Sequence, residues 1–319
     1  MLKLPNKVNE INSFKKEEKG CTLYSFSEKR TTTIICKLED FEIDQDFCVD
    51  DKTINMIKLL EPQEIKIDKG LFIIKSKKGK YKTKLLEKTY KKIDFSNTKN
   101  ITINKNILEI AKNFCSINSS KPVLNGVNFK NGEIVATDSY SCFRKITTDD
   151  SEYNFIVPRE FIELICKEIE TQEIKIAYND VLCLVYDDNI TYVSPLINGI
   201  FPDITNIYKL NVGSSILKFN YADFLDKYNI AKQVGLNLNK NIIITFTNDK
   251  MIAKGDDTFE TDLINLGDKI DYNFSVTTDK FNLLINSINQ YTEYLEINYH
   301  DTLNPLFYNE EIVILPVRC

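Results

Sequence analysis

A chain of 319 residues, 43% hydrophobic and 27% charged, holds enough apolar side chain for two or three domain cores. Its net charge of −5 excludes a protein that grips nucleic acid through a uniformly basic surface, so any such contact needs its lysines gathered on one face. No apolar run approaches a membrane span, the first residues show no signal core, and none of the eight cysteines forms a C-x-x-C pair. A reduced, cytoplasmic protein with no membrane partner is expected.

From the N-terminus, Leu2-Lys3-Leu4 reads as a strand. The helix that should follow is weak, with only Val8, Ile11 and Phe14 apolar before a charged run. Then comes the first of three copies of one pattern: Phe-x-Val, a polar turn, an amphipathic helix and a short alternating strand. The copies begin at Phe47, Phe155 and Phe274, 108 and 119 residues apart. Their helical faces are Ile54/Ile57/Leu60, Phe161/Leu164/Ile165 and Phe281/Leu284/Ile288. Their strands are Glu64–Ile67, Glu173–Ile176 and Leu295–Asn298. A repeat of this length is a domain and not a solenoid turn.

Residues 94–100 and 210–215 read as linkers, giving domains 1–97, 98–212 and 213–319. The second and third domains also open alike. Ile101-Thr102-Ile103 leads to a helix capped by Asn104, and Leu217-Lys218-Phe219 leads to a helix faced by Phe224, Tyr228 and Ala231. Turn pairs Asn131-Gly132 and Asn248-Asp249 break the strands that follow. The expectation is an α+β fold of three similar domains, each of two strand–helix–three-strand units, with the first half of the first domain shortened.

Candidates for catalysis are poor. The one histidine, His300, falls at a hairpin turn and leaves no cysteine, serine or lysine with a base. The pairs Asp149-Asp150, Asp187-Asp188 and Asp256-Asp257 sit between alternating strands, where turn geometry favours Asp. No phosphate loop is present. A non-enzyme without metal or cofactor is expected.

Three further motifs follow in order: Lys121–Val127 with Val135–Tyr140, Leu196–Asp203, and Ile312–Cys319. On the threefold repeat, they make the chain resemble the bacterial DNA polymerase sliding clamp, the β subunit of the replicase. The resemblance covers the second and third domains well and the first from about Cys48 onward. It implies a homodimeric ring of clamp domains with helices on its inner face, encircling duplex DNA without regard to sequence. It also implies a clamp loader, and partners such as DNA polymerase that insert a Leu/Phe-bearing motif between domains 2 and 3. The peptide positions implied are Leu124, Thr137, Ser139, Tyr140, Ser141, Cys142, Pro202, Asn206, Ile207, Val313, Leu315, Pro316, Val317 and Arg318. Where the family commonly has Gly, His and Arg, this chain has Ser139, Tyr140 and Ser141, and Asn206 replaces a basic residue.

If the helices face the DNA, their cations form a positive lining inside an acidic protein. These are Lys15, Lys16, Lys58, Lys105, Lys112, Arg159, Lys167, Lys227, Lys232 and Lys280, with Lys121 on a nearby loop. Ring-closing edges are expected about Tyr81–Leu85 and Lys232–Leu236, the first rich in lysine and therefore salt-sensitive. Two alternatives remain open: a monomeric clamp-like adaptor that captures replication peptides, and a metal-dependent nucleic-acid enzyme using the Asp pairs.

Overall fold

The computed structural model describes residues 4–27, 32–87, 90, 93–147, 152–233, 242–247, 249–254, 258–269, 273–289, 291–301 and 304–317. Three strands open the chain: β1 (Ile11–Lys16), β2 (Cys21–Phe26) and β3 (Thr33–Leu38). Strand β4 (Phe47–Asp50) leads into helix α1 (Asp51–Leu60), then β5 (Glu64–Asp68), β6 (Leu71–Ser76) and β7 (Gly79–Lys84). The next unit runs β8 (Lys99–Asn104), α2 (Lys105–Ala111), β9 (Gly126–Lys130), β10 (Glu133–Thr137) and β11 (Ser141–Ile146). It is followed by β12 (Asn154–Pro158), α3 (Arg159–Glu168), β13 (Glu173–Tyr178), β14 (Leu182–Asp187) and β15 (Ile190–Pro195). A short helix α4 (Thr205–Lys209) precedes β16 (Ser215–Asn220), α5 (Tyr221–Ala231), β17 (Ile243–Phe246), β18 (Lys250–Lys254) and β19 (Thr258–Asp262). The last unit is β20 (Phe274–Thr277), α6 (Thr278–Ile285), β21 (Tyr294–Tyr299), β22 (Leu306–Tyr308) and β23 (Ile312–Ile314).

The three Phe-x-Val motifs are β4, β12 and β20, and each enters its helix directly. Short polar side chains start two of the helices, α1 and α5, by satisfying first-turn amides that have no partner within the helix. Asp50 Oδ1 accepts from Thr53 N at 2.8 Å, and Asn220 Oδ1 accepts from Asp223 N at 3.1 Å. Each helix buries one stripe. On α6 this is Phe281 and Leu284, and on α5 Phe224 and Tyr228, all 0% exposed. Rings of Phe224, Tyr228, Phe246 and Phe281 pack at centroid distances of 5.3 to 6.2 Å.

The strands form two compact units. Unit 1 holds residues 1–108 and 160–197, and unit 2 holds 109–159 and 198–319. In unit 1 an eight-stranded sheet has the order β4-β1-β2-β3-β15-β14-β13-β8, beside a three-stranded sheet β5-β6-β7. In unit 2 an eight-stranded sheet has the order β12-β9-β10-β11-β23-β22-β21-β16, beside a four-stranded sheet β19-β18-β17-β20. Each large sheet thus joins strands from either side of an expected linker. The joint is β3 to β15 in one, with Ile35 opposite Thr191, and β11 to β23 in the other, with Cys142 opposite Val313.

Two expectations are corrected. Val8, Ile11 and Phe14 do not lie on a helix: Ile11 and Phe14 belong to β1, paired on both sides by β2 and β4. Their spacing of three puts them on opposite sheet faces, Phe14 with Leu23 and Val49, and Ile11 with Phe26 and Cys48. Tertiary pairing overrode a weak helical spacing. Among the described residues, therefore, no helix precedes β1, and the longer helices are α1, α2, α3, α5 and α6, one fewer than the six expected. The turn pair at Asn131-Gly132 joins β9 to β10 with φ of 46° and 80°, as a tight hairpin requires. Asn248 lies outside the described residues.

Candidate functional site

Residues 121–127 and 135–140, 198–203 and 312–317 of the three motifs singled out in the sequence all belong to unit 2. An apolar cluster there contains Val135, Cys142, Ile204, Tyr208, Phe307 and Val313, with Phe201 and Ile207 packed against it. Cys142 and Val313 face each other across the β11–β23 joint. The segment 198–209 supplies Phe201, Ile204, Ile207 and Tyr208 to the cluster, and its close approach needs Gly199: a Cβ there would lie 2.6 Å from Val123 Cγ1, at a φ of 139°. Leu124 is buried at the end of a 3-10 turn, Pro122–Asn125.

A polar rim closes one side. Asp138 Oδ1 accepts from Tyr140 N at 2.9 Å, Ser141 N at 2.7 Å and Ser141 Oγ at 2.9 Å. Thr137 Oγ1 donates to the Ser141 carbonyl at 2.7 Å. Asp138 also pairs with the Lys280 ammonium. Burial pushes the Asp138 carboxyl up, but Lys280 and the two amides outweigh this and hold it below the ordinary carboxylate range. Ser139 bends this loop at a φ of 79°. Tyr140 is 63% exposed, and its carbonyl accepts from Leu315 N at 2.9 Å.

Beyond Ile314 the strand ends. Leu315 is 37% exposed, Pro316 has no amide to donate, and Val317 N turns to the Ser275 carbonyl at 2.7 Å. Pro202 and Asn206 are exposed on the covering segment, and Ile207 is half-buried. Arg318 lies outside the described residues. The face therefore offers half-exposed apolar side chains over a firm apolar floor, beside backbone and hydroxyl groups, as a peptide-anchoring surface does.

Sequence reasoning missed Tyr208, Asp138 and Phe307 as parts of this face. The Tyr208 hydroxyl donates to the Glu311 carbonyl at 2.9 Å, and the Arg144 guanidinium lies 4.0 Å over its ring. Burial pushes its phenol far above the ordinary range. Burial likewise pushes the Cys142 thiol up to about 12, so it is an apolar wall and not a nucleophile. An Asp two residues before a tyrosine and next to Thr137 was the available signal for a turn.

The proposed cations are scattered among other tasks. In unit 1, Lys15 and Lys16 stand on β1 and not on a helix: Lys15 pairs with Asp46 at 2.8 Å, and Lys16 reaches the Asp44 carbonyl at 3.3 Å. Lys58 on α1 donates to the Pro5 carbonyl at 2.6 Å, and burial lowers its pKa. Lys105 donates to the Ile169 carbonyl at 2.7 Å, while Lys167 is exposed. In unit 2, Arg159 Nε donates to the Lys112 carbonyl at 3.1 Å, and Lys227 pairs with Asp223 at 2.7 Å. Lys232 lies 5.6 Å over the Tyr228 ring, and Lys280 serves the rim of the apolar face. Lys121 is exposed and Lys112 half-buried.

Comparison with known proteins follows the same lines. Residues 100–203 match the family model of the DNA polymerase III beta subunit, central domain. The beta sliding clamp of Staphylococcus epidermidis is 25% identical over 245 residues, 68% of this chain and 63% of that protein, so the match spans under two thirds of the relative. The DNA polymerase sliding clamp of Bacillus subtilis superposes with a TM-score of 0.78 at 17% identity, covering 97% of this chain and 91% of that one. The DNA polymerase III subunit beta of Pseudomonas aeruginosa superposes with a TM-score of 0.80 at 15% identity, covering 97% and 93%. The fold is that of the DNA sliding clamps. By family in its central third, and by fold over nearly its whole length, the chain resembles the beta subunit of the bacterial replicase.

Proposed function

We propose that the chain is a non-catalytic, cytoplasmic sliding clamp. Two copies close a ring around duplex DNA, with three domains per chain at about 1–97, 98–212 and 213–319, and a polymerase or other replication factor anchors a short apolar motif on the unit 2 face. Tethering raises the partner's concentration at the template, so processivity needs no bond chemistry. A clamp loader opens the ring.

The observation that carries the ring is the repeated strand junction. Within the chain, β3 pairs with β15 and β11 pairs with β23. By position in the repeat, β19 corresponds to β3 and β11, and β7 corresponds to β15 and β23; both are edge strands. Pairing β7 of one copy with β19 of the next repeats the same junction head to tail, and two copies satisfy both edges. The edges are complementary: β7 carries Lys80, Lys82 and Lys84, and β19 carries Glu260 and Asp262. This moves the second edge from the expected segment about Lys232–Leu236, whose residues 234–236 lie outside the described residues, to β19. The lining for DNA rests chiefly on Lys112, Lys121 and Lys167; the exposed ion pairs, each worth about 0.2–1 kcal/mol, exchange readily for phosphate contacts.

The peptide face is tested by the double change Leu315→Ala and Pro316→Ala. Binding of a Leu/Phe-bearing clamp-binding peptide, followed by fluorescence anisotropy, is expected to fall at least about tenfold, roughly 1.4 kcal/mol, with unfolding unchanged. Unchanged affinity would sink this assignment.

A further inference from the structure

In unit 2, Asn128 of β9 stands in register with Val135 of β10 on one side and Ile156 of β12 on the other, so the three share one sheet face. Asn128 is 4% exposed, and its two neighbours are 3% exposed. Among the described residues, Asn128 Oδ1 has no hydrogen-bond partner. A buried amide left unpaired between apolar side chains is destabilising, so it marks a place where a bound group completes the bonding.

Asn128 lines a cavity of about 580 Å³ between this face and residues 199–205. Val135, Phe201 and Ile204 give the cavity an apolar wall, backed by the apolar cluster. Ile200 in its lining is 94% exposed, and Asn154 is exposed too, so the cavity opens to solvent. Its charges balance. The lining holds two carboxylates, Glu133 and Asp203, and the ammonium of Lys130, and the Arg144 guanidinium lies 4.0 Å from Glu133. A ligand of net charge gains little from such a rim. What the cavity selects is an apolar body with a neutral hydrogen-bonding tip.

We propose that this cavity takes a tyrosine side chain from a partner protein. The ring packs on Phe201, Ile204 and Val135, and the hydroxyl, which both donates and accepts, meets either end of the Asn128 amide. A phenylalanine fits the same wall but leaves the amide unpaired, which is how a buried polar group discriminates. The exposed Asn154 amide serves the backbone beside the tyrosine, and Ile200 adds an apolar contact there, so a tyrosine within a chain is favoured over a free phenol. Pro202 borders both this cavity and the peptide face, but Asn128, Lys130 and Asn154 are none of the peptide positions.

The probes are N-acetyl-tyrosinamide and N-acetyl-phenylalaninamide, each one side chain between two peptide groups, with p-cresol as the free phenol. Titrated against the full chain and followed by NMR, N-acetyl-tyrosinamide is expected to bind saturably and at least about fivefold more tightly than N-acetyl-phenylalaninamide, the ratio that one buried hydrogen bond supports. Asn128→Leu, which nearly keeps the side-chain size, is expected to remove that preference. Asn154→Trp, at an exposed position of the lining, is expected to block both probes, and the Leu315→Ala, Pro316→Ala variant to leave both unchanged. No saturation, equal binding of the two probes, a preference that survives Asn128→Leu, or undiminished binding to the Asn154 variant overturns the proposal. Cresol that binds as tightly as N-acetyl-tyrosinamide assigns the cavity to a free phenol and overturns the partner. Loss of binding in the Leu315/Pro316 variant assigns the probes to the peptide face and overturns it too.

Discussion

Ser139 shows what single residues contribute. A side chain at a φ of 79° is strained, because its Cβ crowds the neighbouring carbonyl. The turn is kept because Asp138 gathers the following amides and Lys280. Ser139→Gly removes the crowding but loosens the unfolded chain, so a net gain of up to about 1 kcal/mol is expected, read as a higher urea midpoint. A lower midpoint would mean that the serine is not strained. Asp138 is the pH-sensitive partner. Its folded pKa lies below the unfolded value of about 3.9, so its charged form stabilises the loop above that pH, and the contribution fades as pH falls through the folded value. Peptide affinity is expected to be flat from pH 7 to about pH 5 and to drop below pH 4. Asp138→Asn should remove the acid limb; a limb that persists points to another carboxylate.

Among elements, the Phe-x-Val strand that enters a helix directly is the unit of both fold and sequence. α6 depends on Phe281, which is wholly buried against Phe224, Tyr228 and Phe246. Phe281→Ala is expected to cost about 3–5 kcal/mol, seen as loss of the cooperative unfolding transition at moderate urea. A cost below about 1 kcal/mol would mean that the aromatic cluster repacks. β1 teaches the opposite lesson. Ile11 and Phe14 look like a weak helical stripe, yet β1 lies between β2 and β4, where both backbone edges are satisfied.

For the whole molecule, the proposed ring places an alternating lysine strand against an acidic one. Light scattering is expected to give twice 37.0 kDa at low salt and a shift toward 37.0 kDa as salt rises. Lys80→Glu with Lys82→Glu should yield the monomer. Adding Glu260→Lys and Asp262→Lys should restore the dimer, since the pairs are then reversed and not lost. A monomer at every concentration and salt would favour the adaptor reading over the ring.

The threefold Phe-x-Val repeat, the cap at Asn104 and the motifs whose residues gather on the apolar face of unit 2 could be read from the chain alone. Hydrophobic spacing, turn chemistry and local motifs are properties of neighbouring residues. Only the tertiary structure decided which strands join across the linkers, because β3 meets β15 and β11 meets β23 from more than a hundred residues away, through backbone bonds that leave no side-chain signature. It also decided that Lys58, Lys105 and Lys280 serve carbonyls and a carboxylate inside the chain, since a lysine's partner depends on what folding brings within a few ångströms.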